Sequence, residues 1–255
     1  MGASVYKQEH IITHYEVDVT SNLTPAMLMN VVLMVSEGQT EALGVGEEYL
    51  AKQSLGWVVT QYKMAIDRMP KVGEKVTVAT RATSYNRYFA FREFWLTDAT
   101  GKECVHVDSI WVVMDRNTRK MISIPEDVIA PFDAEVVKMI PRLGRPMRLA
   151  ADEQLMEKQY RVRYFDIDQN GHVNNAHYFD WLLDALPMSF LSRHRLVALN
   201  IRFENEVQYH NDVISQAALV TDNQEPIITK HRIKMPDGEV ATEAECHWQP
   251  VAKQI

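Results

Sequence analysis

Thr24-Pro25-Ala26-Met27-Leu28-Met29-Asn30-Val31-Val32-Leu33-Met34-Val35 decides the architecture, because from Met27 onward Asn30 is its one polar side chain. Thr24 can accept backbone N–H groups at the head of a helix, and Pro25 suits the first helical position, where a missing N–H costs nothing. A helix so apolar on every side must be buried on most of them. The run stops at Ser36-Glu37, short of the ~20 residues a membrane-spanning helix needs. A curved antiparallel sheet around the helix would bury it, and strand-like segments follow. Trp57–Ile66 precedes Val72-Gly73-Glu74-Lys75-Val76, and a hairpin turn is expected at Asp98-Ala99-Thr100-Gly101.

The same order recurs downstream. Tyr15-Glu16-Val17-Asp18-Val19-Thr20-Ser21-Asn22 reads like Phe165-Asp166-Ile167-Asp168-Gln169-Asn170, with Asp18 opposite Asp166 and Asn22 opposite Asn170. Asn174 or Asn175 can cap a second helix, Ala176–Leu186. Leu199–Val207, His210–Ile214 and the turn Met235-Pro236-Asp237-Gly238 then answer the strands and turn of the first copy. The offset is 148 residues at Asp18/Asp166 and 138 at Gly73/Asn211, so the first copy carries additional residues around Gly44–Gly56. The expected chain is α+β: a unit over residues 1–133, a linker over 134–152 and a second unit over 153–255.

Composition is that of an ordinary globular protein, 46% hydrophobic and 24% charged, with a formal net charge of −7. The negative balance argues against nucleic acid as a partner. Lys138, Arg142, Arg145 and Arg148 form a local basic stretch within the expected linker. Two cysteines, Cys104 and Cys246, make a disulfide framework or cysteine metal cluster an unsuitable reading. No signal or transit pattern is present at the N-terminus, so a cytoplasmic location is expected.

The chemistry is concentrated in Tyr164-Phe165-Asp166-Ile167-Asp168-Gln169-Asn170-Gly171-His172-Val173-Asn174-Asn175. Asp168, Asn170 and His172 alternate just ahead of a helix, among unpaired N–H donors at its positive dipole end. Gly171 permits a tight turn that aims its neighbours. Asn170 can polarise a carbonyl, His172 titrates near ~6.5 and can move a proton, and Asp168 can orient the imidazole. These are the parts for acyl transfer to water. The competing reading makes Asp, Asn and Gly turn formers and caps, most naturally for Asn174 and Asn175. Asp166, Asp168, His172 and His177 offer metal donors, but no zinc or calcium spacing is met, and no metal is expected.

This stretch resembles the signature of the plant and bacterial acyl-ACP thioesterases, Asp-Leu-Asp-x-Asn-Gln-His-Val-Asn-Asn with a Tyr three residues on, here Tyr178. The resemblance extends to Leu23-Thr24-Pro25 and Leu55-Gly56-Trp57-Val58-Val59. It implies a tandem double hot-dog fold, two antiparallel sheets each wrapped around a long helix, and hydrolysis of fatty acyl thioesters on acyl carrier protein without a cofactor. It carries the active-site roles onto Asp168, Asn170 and His172. Leu199-Asn200-Ile201-Arg202-Phe203-Glu204 matches the family's acidic strand, making Glu204 the candidate water-handling carboxylate. Asn205 stands where plant members carry Cys, so a thiol nucleophile at that position is excluded, and Gly171 replaces the usual Gln.

On the offsets above, Thr20, Thr24 and Ile66 stand opposite Asp168, His172 and Glu204, so a single site in the second unit is expected. Acyl-chain binding is assigned to the first unit through Met27, Val31 and Val35, with Gly171 and Asn174 as further substrate contacts. Arg142 and Arg145 are the candidate docking residues for acyl carrier protein. An acyl-CoA thioesterase with the same residues is the nearest rival, and a non-catalytic acyl-binding protein the next. The sequence is equally compatible with a monomer and a homodimer.

Overall fold

The structure, a computed structural model, describes residues 3–168, 171–220 and 225–251. Asn170 lies outside the described residues. The chain divides into two compact units, Met1–Tyr62 with Asp67–Leu143, and Lys63–Ile66 with Gly144–Ile255.

In the first unit β1 (Tyr6–Ile11) leads to α1 (Pro25–Ala42) and the short α2 (Glu47–Lys52). Strands β2 (Leu55–Ile66), β3 (Lys75–Tyr85), β4 (Ala90–Thr97) and β5 (Glu103–Asp115) follow. Then come β6 (Lys120–Ile122), α3 (Glu126–Ile129) and β7 (Glu135–Val136). The sheet order is β1-β3-β4-β5-β2, with β6 on β5 and β7 on β3. The second unit repeats it with β8 (Met156–Arg161), α4 (Asn175–Asp184), α5 (Met188–Leu191), β9 (His194–Phe203), β10 (Asp212–Val220), β11 (Ile227–Lys234) and β12 (Val240–Pro250), in the order β8-β10-β11-β12-β9. Each unit is a hot-dog, so the chain is a tandem double hot-dog.

Thr24 caps α1, its hydroxyl accepting the Met27 N–H at 3.2 Å, and Pro25 opens the helix as its locked φ favours. The helix lies on β3 and β1 and buries Leu28, Met29, Val32 and Val35 completely. Most of its faces are buried, as expected: across Ala26–Val35 every residue is buried or half-buried except Met34, which is 41% exposed. The additional first-copy residues around Gly44–Gly56 form α2. In α4, Ala176, Phe179 and Leu182 recur at helical spacing, are buried, and the helix lies on β11 and β10. His231 of β11 contacts it directly, with Nδ1 3.0 Å from the Leu182 carbonyl oxygen.

Residues 134–152, expected as a linker, are partly built into the units. Glu135–Val136 pairs with β3. Farther on, the Met147 N–H donates to Glu245 at 2.8 Å, Arg148 pairs with Glu243 at 3.0 Å, and Glu153 pairs with Lys230. Leu143, Pro146 and Leu149 are buried, whereas Arg142 and Arg145 are exposed.

Candidate active site

The loop before α4 is built on a buried acid. Asp166, 1% exposed, closes a 3₁₀ turn, Tyr164–Asp166, and accepts the Arg163 N–H at 2.8 Å and its guanidinium Nη2 at 2.7 Å. Burial opposes its charge, but the Arg163 bonds and nearby His177 hold the carboxyl below its usual range. Asp166 is thereby committed to the scaffold. Its carbonyl accepts the Asn174 N–H at 2.8 Å, and Asn174 Oδ1 accepts the Ala176 N–H at 2.9 Å. Asn174, expected at the substrate, is the N-cap of α4.

Asp168 and His172 close the loop between them. The Asp168 N–H donates to the His172 carbonyl at 2.8 Å, and the Gly171 N–H to the Asp168 carbonyl at 3.0 Å. The His172 N–H approaches Asp168 Oδ1 at 3.4 Å. Gly171 sits at φ +80°, where a side chain is disfavoured. An ordinary hairpin of the first unit uses the same scheme. The Asp98 N–H donates to the Lys102 carbonyl, the Gly101 N–H to the Asp98 carbonyl, and the Lys102 N–H to Asp98 Oδ1. An aspartate in this position shapes the turn, and Asp168 has that part in presenting His172.

These bonds also correct the register of the internal repeat. The first unit repeats them with Thr13 for Arg163, Glu16 for Asp166, Asp18 for Asp168, Ser21 for Gly171, Asn22 for His172 and Thr24 for Asn174. Ser21 has φ +64°, matching Gly171. The offset is therefore 150, not 148. Past the helix, Leu23 N–H donates to the Pro70 carbonyl as Val173 N–H does to Val207. Asp67 and Arg68 N–H share the Cys104 carbonyl as Glu204 and Asn205 N–H share that of Ala241. The offset there is 137, not 138. Opposite Asp168 the first unit keeps an aspartate, opposite His172 it has Asn22, and opposite Glu204 it has Asp67.

Glu204 lies just beyond the end of β9 rather than on it, and its Oε1 is 2.7 Å from Arg202 Nε. The carboxylate beside the imidazole is Glu206, with Oε2 3.3 Å from His172 Nε2; their side chains are 34% and 18% exposed. Sequence reasoning missed Glu206, which lies beyond the end of β9 at Phe203. Tyr178, buried on α4, accepts the Val207 N–H through its hydroxyl oxygen at 3.3 Å. Burial pushes its phenol far above the usual range, so it acts as a neutral anchor. The structure thus groups Asp168, His172 and Glu206 at the head of α4, with Glu204 turned to Arg202. Of the remaining candidates, Val31 and Val35 are buried in α1 and Met27 is partly exposed.

The chain matches the family description "Acyl-ACP thioesterase N-terminal domain" over residues 3–132 and "Acyl-ACP thioesterase C-terminal domain" over residues 149–250. The chloroplastic palmitoyl-acyl carrier protein thioesterase of Gossypium hirsutum is 25% identical over 264 residues, 96% of this chain and 64% of that protein. This chain therefore spans under two thirds of that relative's length. The chloroplastic oleoyl-acyl carrier protein thioesterase of Coriandrum sativum is 26% identical, over 94% of this chain and 69% of its own. A structure described as a putative oleoyl thioesterase from Lactobacillus plantarum is 44% identical, with TM-score 0.95 over 98% of both chains. The 12:0-ACP thioesterase from Umbellularia californica, 23% identical, has TM-score 0.84 over 97% of this chain and 94% of its own, a likeness of fold.

Proposed function

The chain belongs to the acyl-ACP thioesterase family, and from that premise we propose that it hydrolyses fatty acyl thioesters of acyl carrier protein to free acid and carrier thiol. The observation that carries the reading is the His172–Glu206 contact at 3.3 Å, held at the head of α4. An imidazole next to a carboxylate moves protons at neutral pH. The N–H groups of the first helical turn present positive potential to a developing oxyanion.

In the proposed reaction a water oxygen attacks the thioester carbonyl carbon. Its proton passes to the site's base, and the carbonyl π pair moves onto oxygen. Collapse reforms the carbonyl, breaks the C–S bond and returns the proton to the leaving sulfur. His172 and a carboxylate after β9, Glu204 or Glu206, handle the proton. Asn170 polarises the carbonyl, and Asp168 with Gly171 shapes the loop. Acyl-chain contacts are assigned to Met27, Val31 and Val35, and carrier docking to the exposed Arg142 and Arg145. The name of the Lactobacillus plantarum relative favours long acyl chains. No helix among the described residues is long and apolar enough to cross a membrane, and the proposed compartment is the cytosol.

The test is fatty acid release from matched acyl-ACP and acyl-CoA substrates. Higher kcat/KM on acyl-ACP at equal chain length supports the reading. Preference for acyl-CoA would replace it with the CoA-thioesterase alternative, and release from neither would leave an acyl-binding protein.

A further inference from the structure

We propose that Glu93 of β4, with His106 and Asp108 of β5, forms a binding site for a divalent transition metal of the zinc class on the first unit. The proposal stands apart from the hydrolase reading, which calls on no metal.

Strand alternation puts the three side chains on one face. Along β4 the buried residues Arg92, Phe94 and Leu96 alternate with half-buried Glu93 and Trp95. Along β5 buried Val105, Val107 and Ser109 alternate with half-buried His106 and Asp108. Glu93 and Asp108 are directly opposed in the antiparallel pairing, and His106 lies opposite Trp95, the next residue along the same face. One imidazole nitrogen and two carboxylate oxygens thus lie within 4.8 Å of one another. Zinc bonds of about 2.0–2.2 Å set tetrahedral ligand atoms about 3.3–3.5 Å apart, so side-chain rotation closes the set on a backbone that the ladder holds in place.

The second nitrogen of His106 is engaged in the way a ligating histidine requires. Nδ1 lies 3.3 Å from Glu103 Oε1, and Nε2 lies 3.4 Å from Asp108 Oδ1. A ligating histidine donates its other ring N–H to a carboxylate, which fixes the tautomer and leaves the lone pair on the nitrogen that faces the metal. Glu103 is that carboxylate, and Nε2 is the ligating nitrogen. Arg81 Nη2 holds Glu93 Oε2 at 2.8 Å, which leaves Oε1 for an ion. Three carboxylates meet one guanidinium here, and a bound dication offsets their mutual repulsion. A mixed nitrogen and oxygen donor set suits zinc, whereas calcium and magnesium take oxygen ligands.

The second unit holds the same ladder with a side-chain cation built into it. Lys230, Glu243 and Glu245 stand at the places of Glu93, His106 and Asp108, in the same register. Lys230 opposes Glu245 as Glu93 opposes Asp108, and Arg232 opposes Glu243 as Trp95 opposes His106. Lys230 pairs with Glu153, Arg148 with Glu243 at 3.0 Å, and His247 with Glu245 at 2.6 Å. That copy balances its acids with its own cations. In the first unit the lysine is replaced by Glu93 and one glutamate by an imidazole, which turns a self-neutralised surface into a donor set.

The experiment titrates Zn2+ into the chelator-stripped full chain by calorimetry, beside His106→Gln, Asp108→Asn, Glu103→Gln and His247→Gln. Wild type should bind one ion at this site with Kd at or below about 10 μM, undisturbed by millimolar Ca2+ or Mg2+. His106→Gln and Asp108→Asn should weaken binding at least about 100-fold, and Glu103→Gln, which frees the ring's orientation, about tenfold. His247→Gln, which breaks a histidine–glutamate pair of the second unit, should leave it unchanged. Anomalous scattering at the zinc edge from zinc-soaked wild-type crystals should place a peak among Glu93, His106 and Asp108, a readout that needs no variant to fold. No binding tighter than about 100 μM, no peak at these three residues, or affinity retained in His106→Gln overturns the proposal. An equal loss in His247→Gln marks an adventitious ion only and overturns it as well. Acyl-ACP hydrolysis by the stripped chain reports on the hydrolase reading separately.

Discussion

Gly171 and Ser21 occupy the same place in the two units, and exchanging their chemistry should move stability in opposite directions. Gly171 lies at φ +80°, and a Cβ added there meets no heavy atom within 4 Å. Gly171→Ala therefore introduces no clash, only the cost of a side chain in the left-handed region, about 1–2 kcal/mol. Reduced freedom of the unfolded chain returns about 0.4–1 kcal/mol. The expected net loss is about 1 kcal/mol, or about 2–4 °C in Tm for a chain of this size. Ser21, at φ +64°, already bears that cost, so Ser21→Gly should gain about 1 kcal/mol after the opposite entropic change. Urea and thermal unfolding of both variants and the double variant measure this; additivity within about 0.5 kcal/mol is expected for sites sharing no partners. Catalysis separates them as well. Gly171→Ala should lower kcat, because Gly171 precedes His172 and bonds Asp168, whereas Ser21→Gly should leave kcat unchanged. A neutral Gly171→Ala or a destabilising Ser21→Gly would refute the assigned backbone equivalence.

Burial pushes His231 down to about 4, between Thr229 Oγ1 and the Leu182 carbonyl. Because this lies below the unfolded value of about 6.5, the group's stabilisation is complete above that value and is lost as pH falls toward 4. Unfolding free energy should fall by about 2 kcal/mol from about pH 7 to about pH 5 through this group, and His231→Gln should remove that part of the slope; an identical slope in the variant would contradict it. Met27→Trp should shift the released acids toward shorter chains, and an unchanged product profile would remove α1 from substrate binding. Arg142→Glu with Arg145→Glu should raise KM for acyl-ACP about tenfold and leave acyl-CoA hydrolysis unaltered if the exposed arginines dock an acidic carrier; equal effects on both substrates would exclude that role.

Much of the architecture was legible because it rests on local chemistry. Thr24 and Pro25 announce α1, the hairpins at Asp98–Gly101 and Met235–Gly238 lie between paired strands, and the helix-then-strands order gives two similar units. The register of the repeat was not legible. Asp166 and Asp168 offer Asp18 two partners, and only hydrogen bonds reveal that Glu16 is the equivalent of Asp166. Glu206 escaped notice because β9 ends at Phe203. Strand alternation gives no guide beyond that residue, and the chain turns back to α4 through Val207 and Tyr178, a contact without a local sequence signal. The capping role of Asn174, by contrast, was legible, since asparagine before a helix commonly caps it.

The most direct test of a single site in the second unit is fatty acid release from long-chain acyl-ACP by wild type and His172→Ala, with thermal unfolding of both. His172 is partly exposed, and its backbone bonds to Asp168 do not involve the ring, so the variant should melt within about 3 °C of wild type while kcat falls about 1,000-fold. A folded His172→Ala variant that retains wild-type kcat would contradict the account.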